Sequence, residues 1–171
     1  MDEGSYIIGI TGHRRLPLDH LPTLTKSIRE FFKEKTTQYG AGDITVLSPL
    51  AEGADMLCAR LALSVGFRLV VPLPMSVTEY RKDFSETAAG EFDSLLSLTD
   101  QLFVVPPAEP LRPNPARGFF YRQAGIYVVK NCDVLLAVWD GEERDTPDGA
   151  GTWETVKIAR DMGNSIRYIT I

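Results

Sequence analysis

Apolar positions along this chain follow two alternating patterns. Short unbroken runs of strand length alternate with longer stretches in which apolar residues return every three or four positions. Tyr6 to Ile10 (YIIGI) is the first run and predicts a strand. Pro22 to Tyr39 predicts a helix, with Leu24, Ile28, Phe31 and Phe32 on one face, and Gly40-Ala41-Gly42 closes it. Ile44 to Leu47 is the second strand. Ala54 to Val65 is the second helix, stopped by Gly66. Phe67 to Val71 is the third strand, cut off by Pro72 and Pro74. A helix over Glu86 to Leu98 leads to a fourth strand, Leu102 to Val105. Pro106 to Pro115 carries five prolines, which exclude a helix or a central strand and leave a long loop of the kind that often acts as a lid. Phe119 to Lys130 reads as a helix and Val134 to Trp139 as a fully buried strand. Thr152 to Met162 is the last helix, and Ile166 to Ile171 the last strand.

Strands that are apolar throughout and alternate with helices predict a parallel sheet covered on both faces. The fold class is therefore α/β: a Rossmann-like three-layer sandwich with a mainly parallel sheet. The 171 residues fit one domain, 1–171, without repeat or linker.

Composition is that of an ordinary globular chain and changes this picture little. Charge changes it more. A net charge of -5 weighs against a duplex DNA surface while leaving room for a local basic pocket. The two cysteines, Cys58 and Cys132, lie in apolar surroundings and read as small core residues. With His13 and His20 as the only histidines, no metal site is expected. Met1-Asp2-Glu3 lacks a basic start followed by an apolar run, so no signal peptide is expected. The apolar runs are too short to span a membrane, and a cytoplasmic protein without a membrane partner is expected.

In an open parallel sheet, ligands bind beyond the carboxyl ends of the strands. Four loops there carry candidate chemistry. Gly9-Ile10-Thr11-Gly12-His13-Arg14-Arg15 follows the first strand. Gly12 permits close approach of a ligand, Thr11 offers a hydroxyl, and the arginines can fork onto phosphate oxygens. Its spacing matches neither GxGxxG nor a P-loop, and no cofactor is called for. Ser48-Pro49-Leu50-Ala51-Glu52-Gly53-Ala54-Asp55 follows the second strand. Asp55 reads as a helix-terminus charge, and Glu52 as an acceptor for ribose hydroxyls or a base amine. Trp139-Asp140-Gly141 leads through a polar loop to Asp148-Gly149-Ala150-Gly151-Thr152-Trp153-Glu154. There glycines open a helix whose free N–H groups suit a phosphate, with Thr152 as its cap. Arg117 and Arg122 flank the helix after the proline loop. Trp139 and Tyr80 offer rings for base stacking or for the core, and Tyr80 with Asp83 suggests a second lid.

Taken together these segments resemble the SLOG superfamily, which joins DprA-like proteins, LOG phosphoribohydrolases and nucleotide-sensing domains. The resemblance covers nearly the whole chain. It rests on Ile8 to Arg14, on Ser48 to Asp55, on Cys132 to Gly141, and on Gly149-Ala150-Gly151-Thr152, which matches the GxGT part of the family's phosphate loop. LOG enzymes carry a glutamate three residues after that threonine. Here Thr155 occupies the position and Glu154 lies one residue early, a turn of about 100° on a helix. Arg122 fits the arginine of the family's Arg-Lys pair, and Gln123 replaces the lysine.

The resemblance implies a phosphorylated nucleotide or ADP-ribose-like ligand, held by a sensor domain. Gly9, Thr11, Gly12, His13, Arg14, Glu52, Gly53, Asp55, Asp140, Gly149, Gly151 and Thr152 would form its site. The alternative is a phosphoribohydrolase acting on nucleoside 5'-monophosphates, with Arg122 and Glu154 as catalytic residues. Single-stranded DNA binding, as in DprA, is the weakest of the three, because the chain is acidic. The expected partner is a nucleotide-derived small molecule and not duplex nucleic acid. The family also implies a homodimer.

Overall fold

The structure is a computed structural model and describes residues 4–111 and 113–171. The expected absence of a leader rests on Met1-Asp2-Glu3, which lie outside the described residues. Six strands form one sheet: β1 Tyr6–Gly12, β2 Ile44–Leu47, β3 Arg68–Leu73, β4 Gln101–Val104, β5 Val134–Trp139 and β6 Ser165–Thr170. Their order is β4-β3-β2-β1-β5-β6, and every adjacent pair is parallel. The expected α/β fold with a parallel sheet is what the chain adopts.

Six helices cover it: α1 Leu21–Tyr39, α2 Ala54–Ser64, α3 Val77–Arg81, α4 Glu86–Leu96, α5 Arg117–Asn131 and α6 Thr152–Asp161. Strand periodicity assigns the two faces. Ile8 and Ile10 of β1, Leu69 and Val71 of β3 and Leu136 of β5 join Ile28, Phe32, Leu61 and Phe92 in the core under α1, α2 and α4. Val70 and Leu135, one residue out of step, join Val128, Val129 and Ala159 under α5 and α6. The apolar stripe read for α1 is buried at Leu24, Ile28, Phe31 and Phe32. Gly40 ends that helix with φ 85°, its N–H bonded to the Thr36 carbonyl at 2.9 Å. No helix of the described residues is long and apolar enough to cross a membrane.

Two expectations need correction. Pro72 does not cut the third strand, because β3 runs through it to Leu73. Residues 70 and 72 direct their backbone groups towards β2. The last ladder pair there is Leu47 with Val70, so the N–H that Pro72 lacks falls beyond the ladder, and no bond is lost. Tyr80 and Asp83 do not form a second lid. Tyr80 lies in α3, a five-residue helix capped by the Ser76 hydroxyl, and Asp83 follows it. Five residues carry too little periodicity for sequence reading to detect.

The chain builds outward from β1 to β4, returns to the middle, and places β5 and β6 on the other side. β1 and β5 are therefore neighbours whose following loops leave in opposite directions. A cleft must open where they part.

Candidate functional site

That cleft has a volume of about 350 Å³, within the range of small-ligand sites. Its floor is Ile10 to Arg14, at the end of β1. Asp55 and Tyr80 line it on the α2 and α3 side. Tyr121, Ala124 and Gly125 of α5, with Gly151 before α6 and Thr152 and Thr155 within it, line the other. Of the residues singled out in the sequence, Thr11, Gly12, His13, Arg14, Asp55, Gly151 and Thr152 come together here.

The α6 end leaves backbone donors free. Gly149 and Gly151 have φ of 62° and 119°, conformations that favour glycine. Thr146 holds the loop, accepting the Gly149 N–H on its carbonyl at 3.0 Å and the Ala150 N–H on its Oγ1 at 2.9 Å. The expected cap shifts by one residue: Gly151 is the N-cap and Thr152 the first helical residue. Glycine has no side chain with which to cap, so the helix starts uncapped. Its first bond runs from the Thr155 N–H to the Gly151 carbonyl, 3.1 Å. The N–H groups before it are left for another partner at the positive end of the helix dipole.

The opposite end holds polar groups out of water. Asp55 is 5% exposed, and one carboxylate oxygen accepts the Ala51 N–H at 3.3 Å. Burial pushes this carboxyl up to about 7, against the pull of that N–H, of Ser48 and of Arg14. The Tyr80 ring packs edge-on against Phe84 and Phe92, with centroids 4.8 and 5.6 Å away. Its hydroxyl is buried beside the Arg14 guanidinium, which can only donate, and among the described residues no acceptor lies within hydrogen-bond distance of its hydrogen. Burial drives that phenol far above its ordinary range. The Arg14 guanidinium lies over the Tyr121 ring, 5.3 Å from its centroid. The Tyr121 hydroxyl bonds Asp83, which Arg117 also holds at 2.8 Å.

Several of the remaining site residues serve the chain itself. A Cβ on Gly9 would stand 2.7 Å from Val128 Cγ1, and one on Gly53 would stand 2.3 Å from the Arg14 carbonyl oxygen. Both positions need glycine so that backbone can meet α5 or the β1 loop. Gly12 lines the cleft but is held to glycine by Ala54, whose Cβ would lie 2.4 Å from an added methyl carbon. Asp140 joins the β1 and β5 loops, with its Oδ1 3.0 Å from His13 Nε2. Burial works against its charge, but the Glu142 N–H, His13 and Arg144 outweigh it and hold the carboxyl well below the usual carboxylate range. Glu52 accepts the Ser85 hydroxyl at 2.8 Å and so fixes the start of α4. Trp139 is core, stacked on Trp153 with ring centroids 5.8 Å apart.

Arg122 and Glu154 also lie outside the cleft lining. Arg122 Nη1 is 3.6 Å from Glu154 Oε2, and its Nε is 3.2 Å from Glu109. With Gly149 and the proline segment, Arg122 lines a second basin of about 690 Å³. Gln123, in the place of the family's lysine, fastens that segment. Its carbonyl oxygen accepts the N–H groups of Ala108 and Glu109 at 2.8 and 3.1 Å. Thr155 does line the cleft, its hydroxyl turned to the Gly151 carbonyl at 3.1 Å. Among the described residues Asp55 is the one carboxylate in the lining, and no three His, Cys, Asp or Glu side chains cluster as a metal site.

Sequence reading missed Tyr121 and the role of the Tyr80 hydroxyl. Both are placed by contacts between distant segments, and no local spacing signals them.

The fold is similar to that of DNA processing protein A. The protein from Streptococcus pneumoniae superposes with a TM-score of 0.60 at 15% identity, over 96% of this chain and 50% of that one. The Helicobacter pylori protein, whose structure is described by its single-stranded DNA binding mode, gives 0.59 at 15% identity over 97% and 66%. This chain thus spans half to about two thirds of those proteins. No family model and no curated protein matches it. At such low identity the likeness shows the fold, a DprA-like Rossmannoid. It also corrects the expected partner, a nucleotide-derived small molecule without duplex nucleic acid, because a protein of this fold is described by its single-stranded DNA binding and nucleic acid enters as a partner class. Net charge does not decide between these partners. It averages over the whole surface, whereas a single strand needs only a local site.

Proposed function

We propose that residues 1–171 act as one SLOG-type domain whose β1/β5 cleft binds a phosphorylated nucleotide unit. Free nucleotide and single-stranded nucleic acid both present that chemistry. The observation that carries the reading is the uncapped start of α6, with Gly151 at φ 119°, opening into a 350 Å³ cleft. Phosphate sits on the N–H groups at Gly151 and Thr152, with Thr11 and Arg14 across the floor. Binding without turnover is the better reading of the two small-ligand alternatives. The position that carries glutamate in LOG enzymes is Thr155, and Glu154 turns to Arg122 outside the cleft lining.

The test is thermal unfolding and calorimetric titration with nucleoside monophosphates, ADP-ribose, and an oligodeoxynucleotide with and without a 5'-phosphate. A ligand at 100 times its Kd adds about 2.7 kcal/mol. Ala150→Asp, which sets a negative charge beside the loop, weakens every phosphorylated ligand. Tighter binding of the oligonucleotide than of monophosphates identifies nucleic acid as the source. No response to any of them overturns the reading, and release of free base at an enzymatic rate replaces it with the hydrolase.

A further inference from the structure

The cleft has two unlike ends on opposite faces of the sheet. The α6 end offers N–H groups to an anion. The other end is enclosed and carries a hydroxyl whose hydrogen meets no acceptor among the described residues. A buried donor left without an acceptor destabilises the fold. Tyr80 is 0% exposed and lines the cleft, and phenylalanine would fill the same aromatic niche among Phe84, Phe92 and Tyr121 without that cost. The hydroxyl is therefore unexplained by packing. Beside it stand Arg14, which can only donate hydrogen bonds, and Asp55. The Asp55 carboxylate accepts the Ala51 N–H at 3.3 Å, and a carboxylate has about four acceptor sites. Ile10, Pro49, Ala124 and Val128 supply apolar walls.

We infer that the Tyr80–Arg14–Asp55 end of the cleft reads the base, and that it selects a lactam edge, a ring carbonyl next to a ring N–H. The inference rests on the nucleotide reading above. Phosphate on α6 directs the rest of the ligand across the end of β1 towards α2 and α3. There Tyr80 Oη and the Arg14 guanidinium donate to the carbonyl, and the Asp55 carboxylate accepts the N–H. Hypoxanthine, guanine and uracil present this pair. Adenine and cytosine present an amine beside a bare ring nitrogen, which sets donor against donor at Tyr80 and Arg14.

Calorimetric titration of the whole chain at pH 8, where the Asp55 carboxyl is ionised, with IMP, AMP and ribose 5-phosphate tests this, because IMP and AMP differ mainly at that edge. We expect IMP to bind at least about tenfold more tightly than AMP, the value of one well-placed hydrogen bond. Tyr80→Phe lowers IMP affinity about tenfold, leaves ribose 5-phosphate unchanged, and unfolds at the same or a higher temperature than the wild type. Asp55→Asn, whose amide matches the adenine edge, shifts the preference towards AMP. Equal binding of IMP and AMP by the wild type overturns the proposal. So does Tyr80→Phe that binds IMP as before, or that loses ribose 5-phosphate equally. If ribose 5-phosphate and both nucleotides fail on the wild type, this proposal falls together with the free-nucleotide source, and the oligonucleotide titration decides the remaining reading. Binding of ribose 5-phosphate with no gain from either base leaves the nucleotide reading standing and removes only this one.

Discussion

Asp55 shows how one buried carboxyl couples stability to pH. In the unfolded chain it releases its proton near 3.8, whereas in the fold burial delays release until about 7. Between those values the unfolded chain holds fewer protons, so rising pH favours unfolding, and the loss is complete above about 7. Asp55→Asn keeps an acceptor for the Ala51 N–H and removes the buried charge. It should melt several degrees above the wild type at pH 8 and close to it at pH 4; for a chain of this size 1 kcal/mol corresponds to roughly 2–4 °C. A difference in Tm that is the same at both pH values would rule out the charge as its cause. Asp55 was legible in the sequence as a charge at a helix start. Its isolation from water was not, because Tyr80 and Arg14 reach it from segments more than twenty residues away.

At the scale of elements, the seating of α2 on the sheet depends on a missing side chain. Gly12→Ala would place a methyl carbon 2.4 Å from Ala54 Cβ and 2.8 Å from the Val138 carbonyl oxygen. Neither neighbour can rotate away, so α2 or β5 must shift. Overpacking of this kind costs about 1–3 kcal/mol. Gly90, within α4, has open space where a Cβ would go and a φ outside the left-handed region. Gly90→Ala should therefore stabilise the chain by about 0.5–1 kcal/mol. Urea unfolding of the two variants beside the wild type checks both signs. Equal effects would mean that the close packing of α2 on β1 contributes nothing. The sequence showed two similar glycines, and only the neighbours of each separate a necessary one from a costly one.

At the scale of the molecule, a net charge of -5 limits how a nucleic acid can be held. On the proposed reading the cleft has one anion seat, at Gly151 and Thr152. Each phosphate neutralised on a single strand contributes about -0.7 to the slope of log affinity against log salt. Binding of a 5'-phosphorylated oligonucleotide should therefore show a slope between about 0 and -1.5. A slope near -4 would point to a strand tracked along several phosphates, away from this cleft. The second basin, walled by the fastened proline segment and Arg122, is the next surface to mutate in that event.

The sequence by itself determined the elements and their layering. Strand and helix differ in the period at which apolar side chains repeat, and that period is local, so Val134–Trp139 and Ile44–Leu47 were legible to the residue. Alternation of strands with helices then required parallel pairing, and parallel pairing put the functional loops at one edge. The glycines before α6 were legible for the same reason, since a helix start is a local event. Tertiary structure alone decided which residues share the cleft. Gly9 and Gly53 answer to backbone packed against them, Glu52 to Ser85, and Arg122 to Glu109 and Glu154. Each partnership joins residues that lie far apart in the chain, where spacing carries no signal. The Tyr80 hydroxyl gains its meaning from the same source: only folding can bury a donor in the cleft lining without an acceptor for its hydrogen.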